Sequence, residues 1–235
     1  MRRVVRSAVL VVALAAALAV VTPAGSANEC EGLQVCIPIV GPWVSVPAGS
    51  GAARPQVGWQ LTCPRNFIVG GLDAQLSQRG IDVSFLGMLG SPVNPGITTS
   101  RSVTFVATHV GRASGSPSFK PYIGCMPARG GGPRVPTSVS VFPPGQPATR
   151  RAKTVRVRPG AATVTLTCRS GERLVGASHA FGFFTRTPPS ASLVSSITGA
   201  PAVQGPTVRV RVRGDAELEG VRAVIQLQAL CTRSR

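Results

Sequence analysis

Acidic side chains are scarce in this chain of 235 residues, with eight Asp and Glu against twenty-five Lys and Arg. Only two histidines and two lysines occur, and aromatic residues make up 5% of the sequence. This inventory restricts catalysis, because a nucleophile needs a base within hydrogen-bond reach and the base needs an orienting partner. There is no G-x-S-x-G elbow, no H-E-x-x-H pair and no phosphate loop. No C-x-x-C pair exists and neither histidine lies near a cysteine, so no metal site and no cofactor are expected. Ser178-His179 with Asp73 is the one triad that can be written down, because Asp73 and His179 fall at matching positions of the repeat described below. That same match makes both of them outward strand positions, and His109 in Ala107-Thr108-His109 reads as a surface strand histidine. An enzyme, a hydrolase if any, is a distant third reading.

Helical periodicity is also missing beyond the first residues. Arg2, Arg3 and Arg6 precede an apolar run from Ala8 to Val21, and Gly25, Ser26 and Ala27 follow. This is the plan of a secretory signal peptide cut after Ala27. The run is short for a hydrocarbon core of roughly 30 Å, and no second apolar span follows it. The expected chain is therefore exported and secreted, with retention at the cell wall as an option.

Export makes an even cysteine count read as disulfides. Leu61-Thr62-Cys63 returns as Leu166-Thr167-Cys168, and Val69-Gly70-Gly71 returns as Val175-Gly176-Ala177. The two copies close at Cys125 and Cys231. Equivalent cysteines make equivalent bonds, which predicts Cys63–Cys125 and Cys168–Cys231 and leaves Cys30 with Cys36. Residues 1–27 are the leader, 28–128 module 1, 129–138 a Gly/Pro linker and 139–235 module 2.

Alternation supplies the fold class. Val208-Arg209-Val210-Arg211-Val212-Arg213 has the period of a half-buried strand. Val221, Ala223, Ile225, Leu227 and Ala229 run in phase with Cys231, which turns Arg222, Gln226 and Gln228 outward. In module 1, Phe119, Ile123 and Cys125 point inward, Lys120 and Tyr122 outward, and Trp59 packs beneath the disulfide. Abundant Pro and Gly punctuate short runs. The expectation is an all-β chain, with two tandem disulfide-stapled antiparallel β-sandwich-like modules after a cleaved signal peptide.

These residues carry a resemblance. Cys168, Glu172-Arg173-Leu174-Val175-Gly176 and Ala229-Leu230-Cys231, matched by Cys63, Phe67-Ile68-Val69-Gly70-Gly71 and Gly124-Cys125, resemble a recurring two-cysteine β-module of secreted actinobacterial proteins. The resemblance covers most of the mature chain and implies a secreted β-module. It brings no catalytic residues with it.

Charge divides the modules. Residues 28–128 hold six basic and four acidic side chains, whereas 129–235 hold sixteen basic and four acidic. Arg209, Arg211 and Arg213 share one strand face about 7 Å apart. Arg150, Arg151, Lys153, Arg156 and Arg158 lie on the lead-in to module 2. Such a comb repels itself, and a polyanion relieves the repulsion while releasing counterions. The competing reading is an arginine-rich face that is merely solvated. Secretion argues against nucleic acid, and no aromatic residues interleave the comb to stack bases. An anionic cell-wall polymer or lipid surface is the expected partner. The alternative is a secreted factor such as a protease inhibitor or adhesin, engaging an extracellular protein. It would use the loop Ser91-Pro92-Val93-Asn94-Pro95-Gly96 and apolar residues Phe85, Leu86, Met88 and Leu89. Phe181, Phe183 and Phe184 are read as packing within or between modules.

Overall fold

The computed structural model describes residues 29–33, 35–48, 55–87, 101–110, 116–128 and 148–233. The leader, the linker, the 91–96 loop, Met88 and Leu89 lie outside these residues. The described chain is all-β and antiparallel. Module 1 contributes β1 (Ile37–Val40), β2 (Trp43–Ser45), β3 (Gln56–Thr62), β4 (Phe67–Leu76), β5 (Ile81–Gly87), β6 (Ser102–His109) and β7 (Ser118–Pro127). Module 2 contributes β8 (Ala148–Val157), β9 (Gly160–Thr167), β10 (Glu172–Phe183), β11 (Ile197–Gln204), β12 (Thr207–Gly214) and β13 (Ala223–Arg233). A helix of five residues, α1 (Ala191–Ser195), is capped by the Ser190 hydroxyl, which accepts from the Leu193 N–H.

Each module is two sheets around its own core. In module 1, β3–β6–β5 faces β4–β7 with β1 and β2 alongside. In module 2, β9–β12–β11 faces β10–β13–β8. Phe119, Ile123 and Cys125 are fully buried, as the alternation requires. Phe85, Phe105 and Phe119 form a chain of rings across the first sandwich, with centroids 5.2 and 6.5 Å apart. Trp59 lies in the same core as Cys63 and Cys125. The bonds Cys63–Cys125 and Cys168–Cys231 tie the two sheets of each module together, and Cys30–Cys36 closes the N-terminal loop.

The modules are fused. β2 pairs with β7 through Val44↔Phe119 and with β10 through Gly182↔Val44 and Phe183↔Trp43. One seven-stranded sheet therefore runs through both modules. The β10–β13 part of that sheet is covered on both faces. Phe183, Ile225, Leu227 and Ala229 enter the second core, while Ala180 and Val224 pack against the first. This shared sheet accounts for Phe183; Phe181 is partly buried against the second core, and Phe184 is exposed under the Arg222 guanidinium at 4.3 Å.

Gln226 and Gln228 correct the sequence reading. They do point away from the second core, yet both are buried, because the first module covers them. Strand β3 is an edge of its sheet, with backbone groups left over. The Gln226 amide fills that edge like a strand would: the Gln60 N–H donates to its Oε1 at 2.6 Å, and its Nε2 donates to the Gln60 carbonyl at 3.0 Å. Gln228 Nε2 donates to the Gly58 carbonyl at 3.1 Å.

The register also shifts the alignment of the two modules by one residue. Val69 faces Cys125 and Leu174 faces Cys231, so Val69 matches Leu174 and not Val175. Directly after each, the ladder skips one residue, Gly70 or Val175, in a β-bulge. Asp73 then matches Ser178, since both lie opposite the residue three before the closing cysteine. A slip of one residue exchanges the two faces of a strand. His179, expected outward, instead shares its face with Leu227 at the margin of the second core. His109, expected on the surface, is buried opposite Ile81, with Gln78 Nε2 at 3.4 Å from its Nε2.

Candidate polyanion-binding surface

Strand β12 is the middle strand of its sheet, so its inward residues are covered and its outward residues are held in line by a partner on each side. Val208, Val210 and Val212 are buried, and Arg209, Arg211 and Arg213 are exposed. Arg209 is flanked by Ala202 and Thr165, Arg211 by Ala200 and Thr163, and Arg213 by Thr198 and Ala161. Opposite residues on one sheet face are the ones whose side chains meet. Every such neighbour here is short and neutral, so no cross-strand carboxylate offsets the row, and Asp215 follows in the same phase two residues beyond Arg213. Adjacent guanidiniums about 7 Å apart repel by about 0.6 kcal/mol in bulk water before salt screening. A shallow depression of about 500 Å³ is lined by Arg211, Arg213, Ala161, Thr163, Thr198 and Ala200.

The other five basic candidates divide. Lys153 donates to the Thr165 carbonyl at 3.3 Å, which brings its ammonium beside the Arg209 end of the row. The backbone of Arg158 lies against Gly214, at the Arg213 end. Arg150 and Arg156 stand on the face of β8 turned toward module 1, opposite Leu230 and Val224. Arg150 is half-buried and donates to Gln228 Oε1 at 3.0 Å, and burial pushes its guanidinium below the ordinary value. Arg151 is spent on Glu172, donating to its two carboxylate oxygens at 2.7 and 2.9 Å. The Arg169 N–H also donates to Glu172, and these bonds hold its carboxyl below the usual range, the backbone bond contributing most. Asp215, Glu217 and Glu219 follow β12 in an exposed turn beyond Arg213.

No protein-family model matches the chain, and no curated protein matches it. Among solved structures, a match is found to the major capsid protein P2 from Bacteriophage PM2. It has a TM-score of 0.22 and 9% identity, over 85% of this chain and 98% of that one. At that score the similarity carries no argument.

The paper triad does not assemble. Ser178 lies opposite Gln228 and His179 opposite Leu227, which puts them on opposite faces of β10. Asp73 lies opposite Tyr122 in the other module. His179 meets Phe181 edge-on at 5.5 Å, and burial pushes its ring below the ordinary value. Among the described residues, one group of potential metal ligands converges, Cys168, Glu172 and Cys231. Its two sulfurs are bonded to each other and its carboxylate is held by Arg151, so it has no ligand atoms to give.

The sequence reading found the row but missed its frame. Ala161, Thr163, Thr165, Thr198, Ala200 and Ala202 occupy every second position along β9 and β11. Short neutral residues at every second position beside a charged strand were the available signal.

Proposed function

We propose that this is a secreted, envelope-associated binding protein without catalytic activity, holding anionic surface polymers or lipids through the arginine face of module 2. One observation carries the reading: three arginines in line on a rigid central strand, exposed and unneutralised by their cross-strand neighbours. By contrast, Arg151 is paired with Glu172 and Arg150 is hydrogen-bonded to Gln228. Arg209, Arg211 and Arg213 have no such partner across their sheet face. Three disulfides agree with an oxidising compartment. Among the described residues no helix is long and apolar enough to cross a membrane.

The test replaces Arg209, Arg211 and Arg213 together by Gln, which keeps polar side chains outside and leaves the buried valines unchanged. Binding to isolated cell-wall polymer or to anionic vesicles should fall at least tenfold, with an unchanged melting temperature. Undiminished binding by the folded variant would refute the proposal and direct attention to a contact made through module 1.

A further inference from the structure

The row on β12 has a period as well as a sign, and the period distinguishes among anionic polymers. Building on the reading above, we propose that module 2 grips a linear polyol phosphate with three carbons between successive phosphodiesters, laid along β12 with one phosphate at each arginine. Two residues of a strand contain six backbone bonds and advance about 6.6–6.8 Å. A phosphodiester repeat with a three-carbon linker also contains six bonds: two P–O, two C–O and two C–C. Fully extended, its charges stay in step with alternate residues of a strand. A longer diol linker keeps step only by folding back between contacts, at a cost in conformational freedom.

The frame of the row suits such a chain. Its flanks are Ala or Thr on both sides, so a thin polymer can settle between the guanidiniums and into the depression beside Arg211 and Arg213. Arginine offers a planar fork of donors that engages a phosphate by two bonds at once. The row itself contains no lysine. Lys153 lies level with Arg209 on the β9 side, whereas Asp215 and Glu217 follow the Arg213 end. These carboxylates turn the overhang of a polymer longer than three repeats toward the Arg209 end. A nucleic acid strand has the same three-carbon spacing, but this face gives its bases no ring to stack on. A lipid surface would be met better by projecting apolar residues than by a depression floored with Ala and Thr.

The deciding experiment uses the unaltered secreted chain and labelled synthetic oligomers of equal charge, built with either three-carbon or six-carbon diol linkers. Affinity is read by fluorescence anisotropy at fixed salt. Oligomers with three or more phosphates should bind at least fivefold tighter with the three-carbon linker, and the gain per added phosphate should drop after the third. Arg211→Gln, at the middle rung, should weaken the three-carbon oligomer more than the six-carbon one. Equal affinity for the two linkers would overturn the in-step contact while leaving a basic binding surface intact. Tighter binding of oligothymidylate, or of anionic vesicles at equal phosphate, would overturn the choice of polymer. If no oligomer and no vesicle bound, the function proposed above would fall as well.

Discussion

Gln226 shows how much one side chain contributes here. Its amide replaces a missing strand at the edge of β3, where Gln226 is buried and the two backbone groups it serves belong to the half-buried Gln60. An unsatisfied buried backbone group costs about 1–3 kcal/mol. Gln226→Leu keeps the volume and removes both partners, so urea unfolding should show a loss of about 2–5 kcal/mol on that scale. A loss below about 0.5 kcal/mol, within the range of ordinary surface substitutions, would mean that water reaches this edge. The phase of Gln226 was legible in the sequence and its burial was not, because Gln60 is 166 residues away and no local period encodes that contact. His179 carries a second residue-scale prediction. Burial lowers its pKa in the fold, so the unfolded chain binds the proton more readily. The stability it contributes is complete above the unfolded value, about 6.5, and is lost as pH falls through the lower folded value. The groups packed around it, Phe181, Leu227 and Gly199, carry no charge to offset this. The melting temperature should therefore be lower at pH 5 than at pH 7.5, and His179→Gln should shrink that difference. Glu172 has the same sign, but its lowered carboxyl gives up its contribution only below the unfolded value of about 4.3, so it adds little between pH 7.5 and pH 5. An unchanged difference in the variant would contradict the burial argument.

At the scale of elements, strands were legible where one face is covered and the other is wet. β12 alternates perfectly and was read residue by residue, as were the inward positions of β7 and β13. β10 is one residue out of the register expected from the sequence, because matching Val69-Gly70-Gly71 to Val175-Gly176-Ala177 sets Val69 against the bulged Val175 and not against Leu174. The first bulge skips Gly70, a residue that bulges favour, but the second skips Val175, which looks like any strand residue. Counting from the opening cysteine agrees with pairing to the closing one, since Val69 and Leu174 each lie six residues after their opening cysteine. The disulfides were legible because a repeat constrains them. Cys168–Cys231 spans 63 residues and Cys30–Cys36 only 6. By loop entropy alone the long bond contributes about 4 kcal/mol and the short one about 2. Chemical denaturation of Cys231→Ser should accordingly show about twice the loss of Cys30→Ser. A larger loss for Cys30→Ser would assign the N-terminal loop a packing role beyond its covalent closure. Such a role has a structural basis, since the Glu29 carbonyl lies against Gly71 and Gly124, where a side chain would collide with it.

At the scale of the whole molecule, two sandwiches share a sheet through β2 and a buried glutamine seam through β3. Unfolding one module exposes Ala180, Val224, Gln226 and Gln228 of the other, so the two should melt in a single transition. Calorimetry that resolved two separate transitions would contradict this coupling. Fusion also fixes the arginine face. Its strand is central in one sheet of module 2, and the opposite sheet is the one that continues into module 1. The charge asymmetry between the modules was plain in the sequence, and so was the row, but which cations belong to it was not. Pairing partners remove Arg150 and Arg151, and the face of β8 removes Arg156. The most direct measurement of the central claim is the salt dependence of binding to an anionic polymer by the unaltered chain and by the variant with Gln at 209, 211 and 213. By analogy with nucleic acids, each phosphate contact contributes roughly 0.7–0.9 to the slope of log affinity against log salt. The variant should lose about two to three units of slope along with its affinity. Equal slopes with equal affinities would show that the row is solvated and that binding, if any, lies elsewhere.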